Sequence, residues 1–161
     1  MTSVRPTRGR RTAAALLDTA LALTLALVPA AFTPGVAKGR VFGLGLLLGT
    51  AYILLRDAIP YAEWGARSLG KRWIGIRPYR VGGIPMDLRT SLQRNATIGA
   101  AFLVPALMYV AGGYKLIPFG EYLLWACGLL LVAEFALVAV DPLARRLGDR
   151  LAHTRVIEAR A

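Results

Sequence analysis

The sequence predicts an all-α membrane protein, with four transmembrane helices and a small cytoplasmic β-hairpin cap. Three observations carry that prediction. Apolar residues make up 56% of the 161 positions, and the mean hydropathy of +0.51 is high for a soluble domain of this size. They gather into four runs that reach or approach the roughly 20 helical residues needed to cross a hydrocarbon core. The 20 basic residues fall between those runs and almost all on one side of them, as the orientation of a multi-pass protein requires.

The first run, residues 12–32 (TAAALLDTALALTLALVPAAF), follows a basic tail of residues 1–11 and is closed by Pro29, Pro34 and Gly35, which stop helices. A basic tail before an apolar run also fits a signal peptide, with 28–31 as a loose cleavage site. Asp18 interrupts the hydrophobic region such a peptide needs, so a retained helix is expected. The second run, 36–55, has the core VFGLGLLLGTAYILL, which reaches a full span when Lys38 and Arg40 extend their stems to the interface. Gly39 with Gly43, and Gly45 with Gly49, make two small-xxx-small patterns, so close approach to another span or to a second copy is expected. The third run, 96–114, and the fourth, 119–140, are joined by the YKLIP turn as a helical hairpin.

Four bases lie in the N-terminal tail, eight in the loop 56–95 and five in the tail 141–161, leaving Lys38, Arg40 and Lys115 on the other side. Both termini and the loop are therefore expected in the cytoplasm, which needs an even number of spans. The first part of the loop, RDAIPYAEWGARSLGKRW, mixes Tyr61, Trp64 and Trp73 with bases, as a segment in the headgroup layer does. WIGIRPYRVGGIPM then sets apolar and β-branched residues around Gly82 and Gly83, a hairpin signal in which Pro78 is confined to an edge or a bulge. The alternating HTRVIEA near the end is expected as a third strand, completing a cap beneath one membrane domain of residues 12–161.

Asp18 is the first candidate site residue, because an acid at the centre of a membrane helix costs about 2.5–3.5 kcal/mol and calls for a partner. Arg11, seven residues back, lies two turns away on the same face. Glu134 lies seven residues before Asp141 in a helix running back toward the cytoplasm, at a depth similar to that of Asp18. Two acids facing each other there can share a proton or hold a cation. The other reading makes Asp18 helix glue, bonded to Arg11, Arg94 or Asn95. Arg94, at the start of the third span, is either the counter-charge of Asp18 or an ordinary interfacial arginine. Asp149, among Arg145, Arg146 and Arg150, is expected to cap a helix or to fasten the cap by bonding Lys71 or Arg72. Ser68, Gly70, Lys71 and Arg72 lack the spacing of a nucleotide-binding phosphate loop, so lipid headgroups are the expected contact of these bases.

The segments RRTAAALLD (10–18), SLGKRWIGIR (68–77), Arg94 opening a span, and GDRLAHTRVI (148–157), in that order, resemble the RDD family of bacterial membrane proteins. The family is named for an arginine before its first helix, an aspartate within it and a second aspartate near the end; the matching positions are Arg11, Asp18 and Asp149. The chain departs from the family at Leu69, where proline is frequent, at Pro78, and at His153, where glycine is usual. The resemblance implies a multi-pass protein of the bacterial inner membrane and a role in transport of unidentified ligands, with sodium/proton exchange as one form.

The arginines do not interleave with aromatics along soluble segments, so a bilayer with anionic headgroups is the expected partner and nucleic acid is not. Cys127 is the single cysteine and His153 the single histidine, so neither a disulfide nor a metal centre is expected. No cofactor is implied. No nucleophile, base and orienting group fall together, so an enzyme is not expected. Two functions stay open. One is a transport-related oligomer in which Asp18, with Arg11 and Glu134, handles an ion or small polar ligand. The other is a non-transporting accessory or scaffold subunit that assembles with other membrane proteins through its glycine-lined helix and basic cap.

Overall fold

Each apolar run becomes a long helix in the computed structural model, which describes residues 6–58, 67–84, 86–113, 115 and 117–159. Helix α1 spans Arg8–Ala31 and is opened by Thr7, whose side chain accepts from the Arg10 backbone N–H. Then come α2 (Ala37–Leu55), the short α3 (Leu69–Ile74), strand β1 (Ile76–Arg80), α4 (Leu88–Val110), α5 (Gly120–Val140), the short α6 (Leu147–Leu151) and strand β2 (Thr154–Glu158). Tyr61, Trp64 and the Tyr114 and Leu116 positions of the YKLIP turn lie outside the described residues.

Three helices, α1, α2 and α5, are long and apolar enough to cross a membrane. α4 is as long, at 23 residues, but its first two turns carry Arg89, Gln93, Arg94 and Asn95. It also starts eight residues earlier than the expected third span. Asp87 accepts from the Thr90 N–H at 2.7 Å, a cap that lets the helix begin within the polar loop.

α2 packs between α1 and α4, and α5 lies against α4 at the outside. The glycines of α2 make those contacts close. A Cβ on Gly45 would fall 2.4 Å from Ala26 Cα, one on Gly49 would fall 2.7 Å from the Ala22 carbonyl oxygen, and one on Gly43 would fall 2.8 Å from the Val110 nitrogen of α4. The Gly45 and Gly49 pattern is thus used against α1, and of the other pattern Gly43 is used against α4 while Gly39 makes only an ordinary contact with Tyr109. α1 answers with Ala14, Asp18, Ala22, Ala26 and Ala30, a buried stripe at every fourth residue, the spacing of an i±4 ridge. Leu46, Ile53, Ile98 and Phe102 fill the core between α2 and α4.

The cap is not the expected hairpin. Gly82 and Gly83 do turn the chain, with φ of +98° and +77°, but only positions 84–86 separate them from the Asp87 cap, too few for a strand. Among the described residues the sheet has two strands, β1 antiparallel to β2, with Ile76 opposite Glu158 and Arg80 opposite Thr154. Pro78 is tolerated because a two-stranded sheet has only edge strands. Ile76 and Val156 press the sheet onto Ala14 of α1. Arg10 reinforces the docking, with Nη1 at 2.5 Å from Glu158 and Nη2 donating to the Ile74 carbonyl at 2.6 Å.

Candidate functional site

The first turns of α1 and α4, the end of α2, and the short helices α3 and α6 converge at one end of the bundle. Among the described residues four aspartates, Asp141 at the end of α5 included, and five basic side chains are buried there. Arg11, Lys71 and Arg146 are at most 6% exposed, and Asp18, Arg56, Asp57, Arg94 and Asp149 at most 2%. Burial on this scale is tolerable only where each charge finds partners.

Asp149 gathers α1, α4 and α6. Arg11 Nη2 donates to Oδ2 at 2.6 Å, Arg94 Nε to Oδ1 at 2.7 Å, and the Arg146 N–H to Oδ2 at 3.2 Å. The approach is close because position 148 is glycine: a Cβ there would lie 1.8 Å from the Arg94 carbonyl oxygen. Burial pushes the Asp149 carboxyl up, but Arg94, Arg146 and Arg11 outweigh it and hold it well below the usual carboxylate range.

Asp57, just past the end of α2, joins that helix to α3 and α4. Lys71 Nζ lies 2.5 Å from Oδ1, the Asn95 side-chain amide donates to Oδ2 at 3.3 Å, and Arg94 Nη1 lies 3.4 Å from Oδ2. Here too burial raises the carboxyl, and Lys71, Arg94 and Arg56 more than reverse it. Burial brings the Lys71 ammonium down to about 7 in spite of Asp57. Arg146 is likewise lowered by burial, to about 10, with Asp149 opposing.

Asp18 takes four donors. Ser68 Oγ donates to Oδ2 at 2.6 Å, while Tyr52 Oη and the Gly70 N–H donate to Oδ1 at 2.7 and 2.9 Å. Arg56 Nη1 stands 3.1 Å from Oδ2. These bonds tie α1 to α2 and α3. Asn95 Oδ1 accepts from Arg56 at 3.1 Å and from Arg146 at 3.4 Å, which joins the Asp18 and Asp149 clusters.

The partnerships differ from those expected. Arg11 bonds Asp149 rather than Asp18, because Arg56 at the end of α2 and the start of α3 already occupy the Asp18 carboxylate. Arg94 serves Asp149 and Asp57. Lys71 serves Asp57 and not Asp149, since α3 and α6 approach the junction from different sides, against α1 and α4 respectively. Glu134 does not meet Asp18. It sits on the face of α5 that contacts α4, accepts from the Thr97 hydroxyl, and its Oε2 has no hydrogen-bond partner among the described residues. α5 makes little contact with α1, so equal depth does not bring the two acids together. Glu134 does lie near enough to Arg146 to favour its charged form.

Sequence reasoning missed Arg56, Asp57 and Arg146 as site residues. The available signal was the adjacent pair of unlike charges, Arg56 and Asp57, directly closing an apolar run. Among the described residues no group of three His, Cys, Asp or Glu side chains could hold a metal ion. The junction's chemistry is that of guanidinium and ammonium groups holding carboxylates.

Apolar helices closed at one end by a buried arginine–aspartate network define a membrane-type helical protein. The chain belongs to the RDD family, whose sequence profile matches residues 5–153. Arg11, Asp18 and Asp149, the positions matched to the family's name, all lie in the network. No curated protein and no solved structure matches the chain.

Proposed function

We propose that the protein is a non-enzymatic, transport-related protein of the bacterial inner membrane that handles an ion or small polar ligand at this junction. In this reading α4 is a fourth span, its polar first turns shielded by α2 and α6, and both termini lie with the junction on the cytoplasmic side. The distribution of lysine and arginine supports that orientation. The exposed Arg77 and Arg155 of the cap then face anionic headgroups, and the outer face of α5, with Trp125 68% and Leu129 67% exposed, meets lipid or a second copy.

The observation that carries the proposal is unmet bonding capacity. Glu134 Oε2, Arg56 Nε and Arg94 Nη1 are buried without a hydrogen-bond partner among the described residues. A junction serving only as glue needs no unused charged donor or acceptor, which is costly to bury. The test is flux in proteoliposomes holding wild type, Asp18→Asn or Glu134→Gln, with sodium, pH and chloride gradients imposed in turn. Wild-type flux that falls in a folded Glu134→Gln protein is expected; no flux in any folded protein overturns the proposal.

The second reading, an accessory or scaffold subunit, is favoured by Asp18, whose four donors leave it no free position for a ligand. It expects no flux, recovery of membrane partners with the wild type, and loss of that recovery when Asp18→Asn unfolds the junction.

A further inference from the structure

A small cavity of about 20 Å³ lies inside the junction, between α1, α2, α4, α5 and the sheet. Its lining includes Arg11, Arg56, Lys71, Arg94 and Arg146, and a single acid, Asp18. We propose that this cavity binds one small monovalent anion of chloride size.

Size restricts the occupant first. A water-sized particle needs roughly 10–15 Å³ of such space, so one monatomic ion or one water fits, while phosphate and carboxylates do not. Charge restricts it next: the charged side chains on the lining are five basic groups and one carboxylate. Two buried donors are also unused. Arg56 Nε and Arg94 Nη1 have no hydrogen-bond partner there, although Arg94 Nη1 stands 3.4 Å from Asp57. Both side chains line the cavity.

Water satisfies this lining poorly. Its hydrogens need acceptors, and the Asp18 oxygens already take four donors. The remaining walls include Ile76, Val138 and Val156. An anion needs only donors, and guanidinium groups, themselves weakly hydrated, suit a weakly hydrated halide.

The inference rests on the transport reading where it names the ligand handled, but binding is measured without flux. Purified protein in detergent is melted while chloride replaces gluconate at constant ionic strength and pH, and binding of radiolabelled chloride is counted per chain. The expected result is a saturable rise in Tm with chloride, matched by bromide and absent with gluconate, and one chloride bound per chain. Arg146→Gln, which removes one lining cation, weakens chloride about tenfold. Val138→Leu, which narrows the cavity with no change in charge, also weakens it. Equal Tm in chloride and gluconate with no chloride bound overturns the site, and binding unaffected by both variants overturns its location. Chloride bound without flux of any ion removes the transport reading and leaves the site; sodium or proton flux without chloride binding does the reverse.

Discussion

Arg11 Nη2 donates to Asp149 Oδ2 at 2.6 Å, with both side chains buried and the two residues 138 positions apart in sequence. Removing one partner of such a pair strands the other in a poorly solvated place. Arg11→Gln is expected to cost about 3–5 kcal/mol in unfolding measurements, and Asp149→Asn at least as much, because Arg94 also loses its acceptor. The double substitution should show a coupling of about 0.5–3 kcal/mol. Simple additivity would mean that the two side chains do not interact.

Asp18→Asn places an amide N–H₂ where the hydroxyl, phenol, backbone N–H and guanidinium donors all point. It is expected to lower Tm more than Ser68→Ala, which removes one charge-assisted hydrogen bond at a cost of about 1.5–3 kcal/mol. An Asp18→Asn protein that melts like wild type and has lost flux would instead make this acid a ligand site.

Gly148→Ala is expected to undock α6, since its Cβ has no space beside the Arg94 carbonyl. Gly128→Ala is the matched control, because nothing lies within 4 Å of that position, and it should change stability by less than about 0.5 kcal/mol. Monodispersity and Tm after purification separate the two; similar behaviour would contradict the close contact.

The acid side of the stability profile follows from Asp57 and Asp149, both held below the ordinary 3.8. The unfolded chain takes up those protons first, so their contribution is complete above that value and is lost as pH falls below it. Lys71 acts in the other window. Folded, it titrates near about 7, against an ordinary 10.5. Between those values the unfolded chain keeps a proton that the folded chain has released, so stability from this group increases as pH rises. Denaturant midpoints across pH should show both slopes, and Lys71→Met should abolish the alkaline one.

His153 sits at φ +50°, a conformation easy for glycine, the residue usual at this place in the family. His153→Gly is expected to keep or raise Tm, whereas His153→Val, β-branched, should cost about 1–2 kcal/mol. A valine variant as stable as the glycine one would contradict the left-handed turn into β2.

The ends of α1, α2 and α5 were legible to within a few residues, because hydropathy marks where a helix meets polar chain. The early start of α4 was not, since it depends on one cap at Asp87 inside a basic loop. The alanine stripe of α1, on the face that carries Asp18, is a four-residue spacing that the reading of the sequence did not use. Which cation meets which acid was hidden. Spacing along one helix fixes a face, but Arg56, Ser68 and Arg11 compete for carboxylates on separate elements, and the choice depends on how α3 and α6 fold back. In the cap, β1 and the alternating C-terminal strand were both legible and pair with each other; the strand expected after Gly82 and Gly83 was not formed, because the Asp87 cap starts α4 too soon.

The position of Asp149 has a consequence for biogenesis. The chain is made in order, so Arg11, Arg94 and Arg146 all emerge before the carboxylate that receives them. Until position 149 follows, Arg94 has Asp57 but Arg11 lacks the carboxylate it bonds in the packed junction. A chain that stops earlier therefore lacks the one group that ties α1, α4 and α6 together.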